Sequence, residues 1–242
     1  MTRILLLAGT REARELAQAL AKISGTEVIA SFAGATQVPA ELPCETRVGG
    51  FGGADGLAGW LKVQNIDLLI DATHPFAEVM QSNALNAAQM ANLPRLRLLR
   101  PAWQVRPGWE VFPNICAAAA ALPKGASVLL TTGRKEIAPF VARSDCKMVV
   151  RTIEPVEALP PHIRPFLARP PFTQAAERAV FEQHTITHLV TKNSGGSGTA
   201  KLEVAEAMRI AVKMVDRPPR PSGPIVETVE AAVGWIRQSV GF

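Results

Sequence analysis

The chain contains no tyrosine and only three cysteines among its 242 residues. Without tyrosine, every mechanism that needs a phenolic acid is excluded, including the Tyr-x-x-x-Lys pair of short-chain dehydrogenases. Cys44, Cys116 and Cys146 are far apart in the sequence and form no C-x-x-C pair. They indicate neither a disulfide framework nor a zinc site, so we expect reduced, structural thiols.

Long apolar runs and basic clusters are also missing. The apolar run Ile4–Ala8 is too short to span a membrane, and the single arginine before it makes a poor signal peptide. We therefore expect a cytoplasmic protein without a membrane partner. The net charge of +5 comes from 18 arginines and 8 lysines against 21 acids. No basic run alternates with aromatics, so the charge favours a polyanionic small molecule over nucleic acid.

The opening residues predict a strand, a glycine turn and a helix. Ile4–Ala8 is typical of a buried strand, and Gly9 closes a turn into an amphipathic helix over 11–22. At the carboxyl edge of a doubly wound sheet, the N-terminus of such a helix offers N–H groups to a phosphate. The first candidate residues are Gly9, Thr10, Arg11 and Glu12. Because no G-x-G-x-x-G is present, a turn without ligand stays the alternative.

The second predicted strand ends near Ser31, with no acidic residue beside it. An acid at this place would hold the ribose diol of NAD, so its absence favours a 2′-phosphate and NADP, if a nucleotide binds. The glycine-rich segment Val48–Gly53 is expected to form a flexible loop before a helix near Ala54–Val63.

A third buried strand, Ile66–Asp71, runs into Thr73-His74-Pro75. Pro75 is expected at the first position of a helix, with Thr73 or His74 as its cap. The predicted buried face of this helix comprises Phe76, Val79, Met80, Asn83 and Ala87. A single histidine is more often a cap or a core residue than a catalyst.

The second half repeats the pattern of the first. The strand Ser127–Leu130 enters Thr131–Glu136, and a strand over 187–191 opens into the glycine-serine loop Lys192–Lys201. Backbone N–H groups of such a loop can form an anion-binding nest. A helix is expected from Lys201 to Lys213. His184 and His188 are four residues apart, but no acid or cysteine joins them, so no metal site is expected.

These patterns predict an α/β fold of two Rossmann-like domains with mostly parallel sheets and a ligand cleft between them. Residues 1–100 would form the first domain and residues 101–217 the second. Residues 218–242 would form a proline-rich connector and a helix that packs back on the first domain.

Four motifs in order, Leu7–Ala13, Asp71–Ala77, Thr132–Arg134 and Thr191–Gly196, closely resemble the precorrin-6A reductases of cobalamin biosynthesis. The resemblance covers nearly the whole chain. It implies NADPH-dependent reduction of one double bond of the precorrin-6A macrocycle to precorrin-6B. The alternatives are a cobalt-bearing precorrin-6A substrate and, more remotely, a nucleotide-binding sensor domain without chemistry. A methyltransferase of the same pathway would need a glycine-rich turn and an acidic residue after the second strand. Neither is seen in this sequence, which disfavours that alternative.

The resemblance also implies roles for the candidate residues. The residues assigned to NADPH binding are Gly9, Thr10, Arg11 and Glu12 at the phosphates, Ser31 at the 2′-phosphate, and Thr73, His74 and Pro75 at the nicotinamide. Those given to the substrate or cleft are Thr132, Gly133, Arg134, Lys135, Lys192, Asn193, Ser194, Gly195, Gly196 and Lys201. His74 and Lys192 are the candidate proton donors, although substrate or solvent could serve. A monomer is expected, with the oligomeric state left open.

Overall fold

The computed structural model describes residues 1–33 and 42–240, and the chain divides into two compact units. Unit 1 comprises Met1–Pro101 and the chain from Pro218 onwards, and unit 2 comprises Ala102–Arg217. Each unit contains one six-stranded sheet, and all the strand pairs described are parallel. The predicted α/β class with two Rossmann-like parallel sheets is confirmed.

Strands and helices are numbered in chain order. Unit 1 contains strands β1 (Thr2–Leu7), β2 (Thr26–Phe32), β3 (Glu45–Val48), β4 (Leu68–Asp71), β5 (Arg95–Leu98) and β12 (Ile225–Val226). Its helices are α1 (Arg11–Leu20), α2 (Gly53–Val63), α3 (Glu78–Ala91) and α8 (Val229–Val240). The sheet order is β3-β2-β1-β4-β5-β12, which is the doubly wound order with its switch point between β1 and β4.

Unit 2 contains strands β6 (Glu110–Phe112), β7 (Ser127–Leu130), β8 (Lys147–Thr152), β9 (Ile163–Leu167), β10 (His188–Lys192) and β11 (Ala211–Val215). Its helices are α4 (Ile115–Ala120), α5 (Ala138–Val141), α6 (Gln174–Gln183) and α7 (Ala200–Ala207), with a 3₁₀ turn at Arg134–Glu136. The sheet order is β9-β8-β7-β10-β11-β6. The switch point therefore lies between β7 and β10.

The last strand of each sheet pairs with a strand that lies far from it in the chain. β6 follows β5 in sequence but pairs with β11, whereas β12 follows β11 in sequence but pairs with β5. The sheet of unit 1 consequently needs the segment after Arg217.

Apolar side chains cover both faces of the unit 1 sheet, and they also form the core of unit 2. In unit 1, Ile4 and Leu6 face α1 and α8, whereas Leu5 and Leu7 face α2 and α3. In unit 2, Leu129 belongs to a core cluster with residues of α6 and α7. Burial on both faces is the reason that these strands read as continuous apolar runs. No helix in the described residues is long and apolar enough to cross a membrane.

Two local predictions were wrong, and one strand was not predicted. The helix predicted over Lys201–Lys213 ends at Ala207, because Arg209 adopts a left-handed φ of 56° and the chain then enters β11. The helix predicted to begin at Pro75 begins instead at Glu78, and Val79 on its predicted buried face is 77% exposed. The segment before the glycines at 49–53 contains the edge strand β3, whose mostly exposed residues show no apolar pattern.

Candidate functional site

The turn after β1 lies at the carboxyl edge of the unit 1 sheet, beside the turn after β4. Gly9 has a φ of +146°, which residues with a side chain rarely adopt, and the space above it is open. Thr10 caps α1, since its Oγ1 accepts the N–H of Ala13 at 3.1 Å. The same hydroxyl donates to the carbonyl of Ala72 at 2.8 Å and so joins the two turns.

Glu12 and Arg100 form an ion pair beside this turn. The Nη1 atom of Arg100 lies 2.7 Å from Oε2 of Glu12, and both side chains are largely buried. They line a shallow recess together with Thr10, Thr73 and Pro75. Arg100 neutralises the carboxylate of Glu12, which lies in the first turn of α1, where an anion would bind.

Asp71, at the end of β4, holds the following turn together with a fully buried arginine of β5. Oδ1 of Asp71 accepts the N–H and the hydroxyl of Thr73 at 3.1 and 2.7 Å. The same oxygen accepts Nη1 of Arg97 at 2.6 Å. Burial lowers the pKa of Arg97, and the charge of Asp71 opposes that shift. The buried Asp71–Arg97 ion pair therefore anchors the start of the turn after β4.

His74 follows in the same turn and is half-buried. Its Nδ1 accepts the N–H of Phe76 at 3.3 Å, which leaves the proton of a neutral ring on Nε2. Gln81 donates from Nε2 to the carbonyls of His74 and Pro75 at 3.1 and 2.9 Å. The backbone of this turn is consequently fixed from the side of α3.

Arg47 on β3 is a candidate residue that the sequence analysis missed. Its Nη1 donates to Oγ of Ser31 at 2.8 Å, and its guanidinium lies 3.9 Å from the ring centre of Phe51. Burial lowers its pKa, and no carboxylate pairs with it among the described residues. The available signal was an arginine placed directly before the glycine-rich segment Val48–Gly53.

In unit 2, the turn after β7 and the loop after β10 lie at the carboxyl edge of the sheet. Gly133 has a φ of 92° and precedes the 3₁₀ turn. Lys192 Nζ lies 2.6 Å from Oε1 of Glu136, which joins the two segments. Arg134 pairs with Glu154 at 2.9 Å, and Lys135 is exposed. Thr132 is buried, and its hydroxyl has no partner among the residues described.

The loop after β10 is held mainly through its carbonyls. Asn193 exchanges two hydrogen bonds with the backbone of Trp103, at 2.8 and 3.1 Å, and Trp103 Nε1 donates to the carbonyl of Gly196 at 2.7 Å. Arg217 donates to the carbonyls of Asn193 and Ser194 at 2.8 and 3.0 Å. Lys201 Nζ lies 4.6 Å from the Trp103 ring centre.

The candidate residues thus fall into two groups, one at the carboxyl edge of each sheet. Unit 1 brings together Gly9, Thr10, Arg11, Glu12, Ser31, Thr73, His74 and Pro75, and unit 2 brings together Thr132, Gly133, Arg134, Lys135, Lys192, Asn193, Ser194, Gly195, Gly196 and Lys201. The ligand cleft stays a prediction, as do the individual roles. Among the residues described, no group of three His, Cys, Asp or Glu side chains could hold a metal.

Comparison with known proteins identifies the family. The family model of precorrin-6x reductase CbiJ/CobK matches residues 3–237. A precorrin-6A reductase of Rhodococcus erythropolis is 44% identical over 244 residues, covering 98% of each chain. A cobalt-precorrin-6A reductase of Priestia megaterium is 29% identical, covering 95% of this chain and 96% of the relative. A solved structure of CobK precorrin-6A reductase matches with a TM-score of 0.93 at 39% identity, covering 99% and 97% of the two chains.

The matches span nearly the whole chain and include all four motifs that carried the resemblance. They favour an enzyme over the sensor-domain alternative, and they agree with the observed pair of parallel sheets. The chain therefore belongs to the precorrin-6x reductase CbiJ/CobK family and is an oxidoreductase of cobalamin biosynthesis.

Proposed function

We propose that this chain transfers a hydride from NADPH to metal-free precorrin-6A and so forms precorrin-6B. The observation that carries the choice of NADPH is the contact of Arg47 with Ser31 at the ends of β3 and β2. In Rossmann-like units this place meets the 2′ position of the adenosine ribose, where an acid selects NAD and an arginine suits NADP. A guanidinium with a hydroxyl beside it fits a 2′-phosphate.

The turn after β1 suits the remaining phosphates of this cofactor. Gly9 leaves open space over the N-terminus of α1, whose N–H groups and dipole favour an anion. Arg100 balances Glu12, which would otherwise repel the phosphates. From this turn the nicotinamide would extend toward Thr73, His74 and Pro75, because Thr10 joins the two turns directly.

When bound, the nicotinamide supplies the hydride for an electron-poor carbon of the macrocycle. The residues of the chain bind and orient the two rings, which is the main contribution that a protein makes to such a transfer. Arg134, Lys135 and Lys192 at the edge of unit 2 are cations suited to the carboxylate arms of a tetrapyrrole.

A proton must reach the macrocycle after the hydride. His74 is one candidate donor, and to act as an acid its ring must first take up a second proton on Nδ1, which here accepts the N–H of Phe76. Lys192 is the other, and Glu136 holds its ammonium in place at 2.6 Å. The preference for a metal-free substrate is supported by the higher identity to the Rhodococcus precorrin-6A reductase than to the Priestia cobalt-precorrin-6A reductase.

The test is an anaerobic assay with precorrin-6A. It measures the oxidation of the nicotinamide and the absorption spectrum of the macrocycle at the same time. Wild-type protein is expected to oxidise NADPH in preference to NADH. Arg47→Met is expected to raise the KM for NADPH about 10-fold or more, the effect of losing a charge-assisted contact, and to leave the KM for NADH unchanged. Arg14→Met, at an exposed position of α1, is the matched control.

Two results would count against the proposal. Equal use of NADH and NADPH by the wild type would remove the basis of the 2′-phosphate assignment. Turnover of cobalt-precorrin-6A without turnover of precorrin-6A would assign the enzyme to the cobalt-bearing substrate.

A further inference from the structure

We propose that Arg97 is a positioning residue for the nicotinamide side of the site and that it acts through Thr73. This inference rests on the proposed NADPH-dependent reduction. The sequence pattern did not single out Arg97, which lies inside the short strand β5. Its side chain is fully buried, as is that of its partner Asp71, so neither group can touch a ligand directly.

The guanidinium of Arg97 donates to Asp71 and to Thr73, and it holds Thr73 through both of its terminal nitrogens. Nη1 donates to the hydroxyl of Thr73 at 3.1 Å, and Nη2 donates to the carbonyl of Thr73 at 3.1 Å. Asp71 accepts the N–H and the hydroxyl of the same threonine. All the polar groups of Thr73 therefore bond to the Asp71–Arg97 pair. The backbone direction into His74 is consequently set by this pair.

The other contacts of the turn act on neighbouring residues. Thr10 bonds the carbonyl of Ala72, and Gln81 bonds the carbonyls of His74 and Pro75. Thr73 stands between these two anchors and is held by the arginine and the aspartate. Loss of the fork from Arg97 would free the carbonyl of Thr73 and loosen its hydroxyl, while the contacts of Thr10 and Gln81 at the two ends of the turn remain.

A buried ion pair is not an efficient way to stabilise a fold, since desolvation of the two charges offsets most of their attraction. Here that cost is high, because Oδ2 of Asp71 and Nε of Arg97 are buried with no hydrogen-bond partner among the residues described. Apolar side chains of similar volume would serve packing equally well. An apolar side chain cannot donate hydrogen bonds, whereas a guanidinium donates from two nitrogens in one plane. Arg97 uses these two nitrogens to hold both the hydroxyl and the carbonyl of Thr73.

Arg97→Lys is the variant that tests the assignment. It keeps the positive charge opposite Asp71 but removes the fork. We expect kcat with precorrin-6A to fall about 10- to 100-fold, as for a misplacement of reacting groups by about 1 Å. The KM for NADPH is expected to stay within about threefold of wild type, because the cofactor phosphates bind elsewhere. With NADPH deuterated at the transferred position, the isotope effect on kcat is expected to rise as hydride transfer becomes the slow step.

Arg3→Lys is the matched control at the opposite edge of the same sheet. Arg3 donates to Oε1 of Glu27 at 3.0 Å and to the carbonyl of Gln64, so its replacement also removes an arginine fork from unit 1. We expect this variant to keep the wild-type kcat and isotope effect. An equal loss of kcat in both lysine variants would overturn the positioning role.

A second pair of variants covers the case in which Arg97→Lys does not fold. Thr73→Ser retains the hydroxyl that bonds Asp71 and Arg97, whereas Thr73→Val removes it at nearly constant volume. We expect the valine variant to lose at least about tenfold more kcat than the serine variant. Equal kcat for these two variants, or an unchanged kcat for Arg97→Lys, would overturn the inference. A wild type that does not oxidise NADPH with precorrin-6A would instead overturn the proposed function on which the inference rests.

Discussion

Arg100 lies with its Nη1 atom 2.7 Å from the carboxylate of Glu12, although 88 residues separate them in the chain. Their side chains are 14% and 18% exposed. Glu12 is the acidic residue in the first turn of α1, at the helix end that would receive the cofactor phosphates. The arginine thus neutralises a charge that the site would otherwise have to overcome.

Arg100→Met is expected to weaken NADPH binding because it leaves Glu12 charged beside the phosphates. The KM for NADPH should rise about tenfold, which corresponds to about 1.4 kcal/mol. Adding Glu12→Gln should restore most of the loss, since the double variant has no unbalanced carboxylate. Steady-state kinetics of both variants are the measurement. A double variant as weak as Arg100→Met would show that the arginine contacts the cofactor itself.

Gly9→Ala is expected to impair cofactor binding more than folding. A φ of +146° is strained for alanine, and a strained residue of this kind costs about 1–3 kcal/mol of stability. The added methyl group meets no protein atom within 4 Å and would project into the open space over the turn. Thermal unfolding with and without NADPH separates the two effects. A variant that NADPH stabilises as strongly as it stabilises the wild type would contradict the phosphate role of this turn.

Lys192→Met tests the proton donor in unit 2. If Lys192 delivers the proton, kcat should fall about 100-fold or more, the range for loss of a general acid. Glu136→Gln should give a smaller loss, because it keeps the ammonium but removes the partner at 2.6 Å. Lys147→Met, at the exposed start of β8, is the control. A wild-type kcat in Lys192→Met would leave His74, substrate or solvent as the source.

His188 is expected to make the stability of the protein depend on pH. Burial lowers the pKa of His188, and the charge of Lys213 lowers it further, while Glu110 opposes the shift. The unfolded chain then binds a proton more readily than the folded one, so stability falls as the pH drops below about 6.5. Thermal unfolding between pH 7.5 and 5 should show a shallower decline for His188→Gln than for wild type. Identical slopes would mean that other groups control the acid sensitivity.

Local sequence patterns predicted much of unit 1 and unit 2. The β1–Gly9–α1 segment follows from five adjacent apolar residues, a glycine and an apolar spacing of three and four, all within about 20 residues. The strand Ser127–Leu130 was predicted from a local apolar run in the same way, and it forms β7. Both features depend on residues that are neighbours in the chain.

The boundaries that failed depend on contacts between distant residues. The turn at Thr73 has the composition of a helix start, but its polar groups bond Asp71 and Arg97, so α3 begins only at Glu78. The pairing of β6 with β11 and of β12 with β5 joins segments far apart in the chain, so no local pattern indicates which strand each will lie beside.

The sequence by itself determined the α/β class, the two turns at the carboxyl edges and, through four ordered motifs, the reductase family. Only the tertiary structure decided which arginines lie at the candidate site. Arg47, Arg97 and Arg100 read as ordinary charged residues, and their partners Ser31, Asp71 and Glu12 lie 16, 26 and 88 positions away. Folding brings these groups together because parallel strands place their carboxyl ends at one edge of a sheet, whatever their separation in the chain.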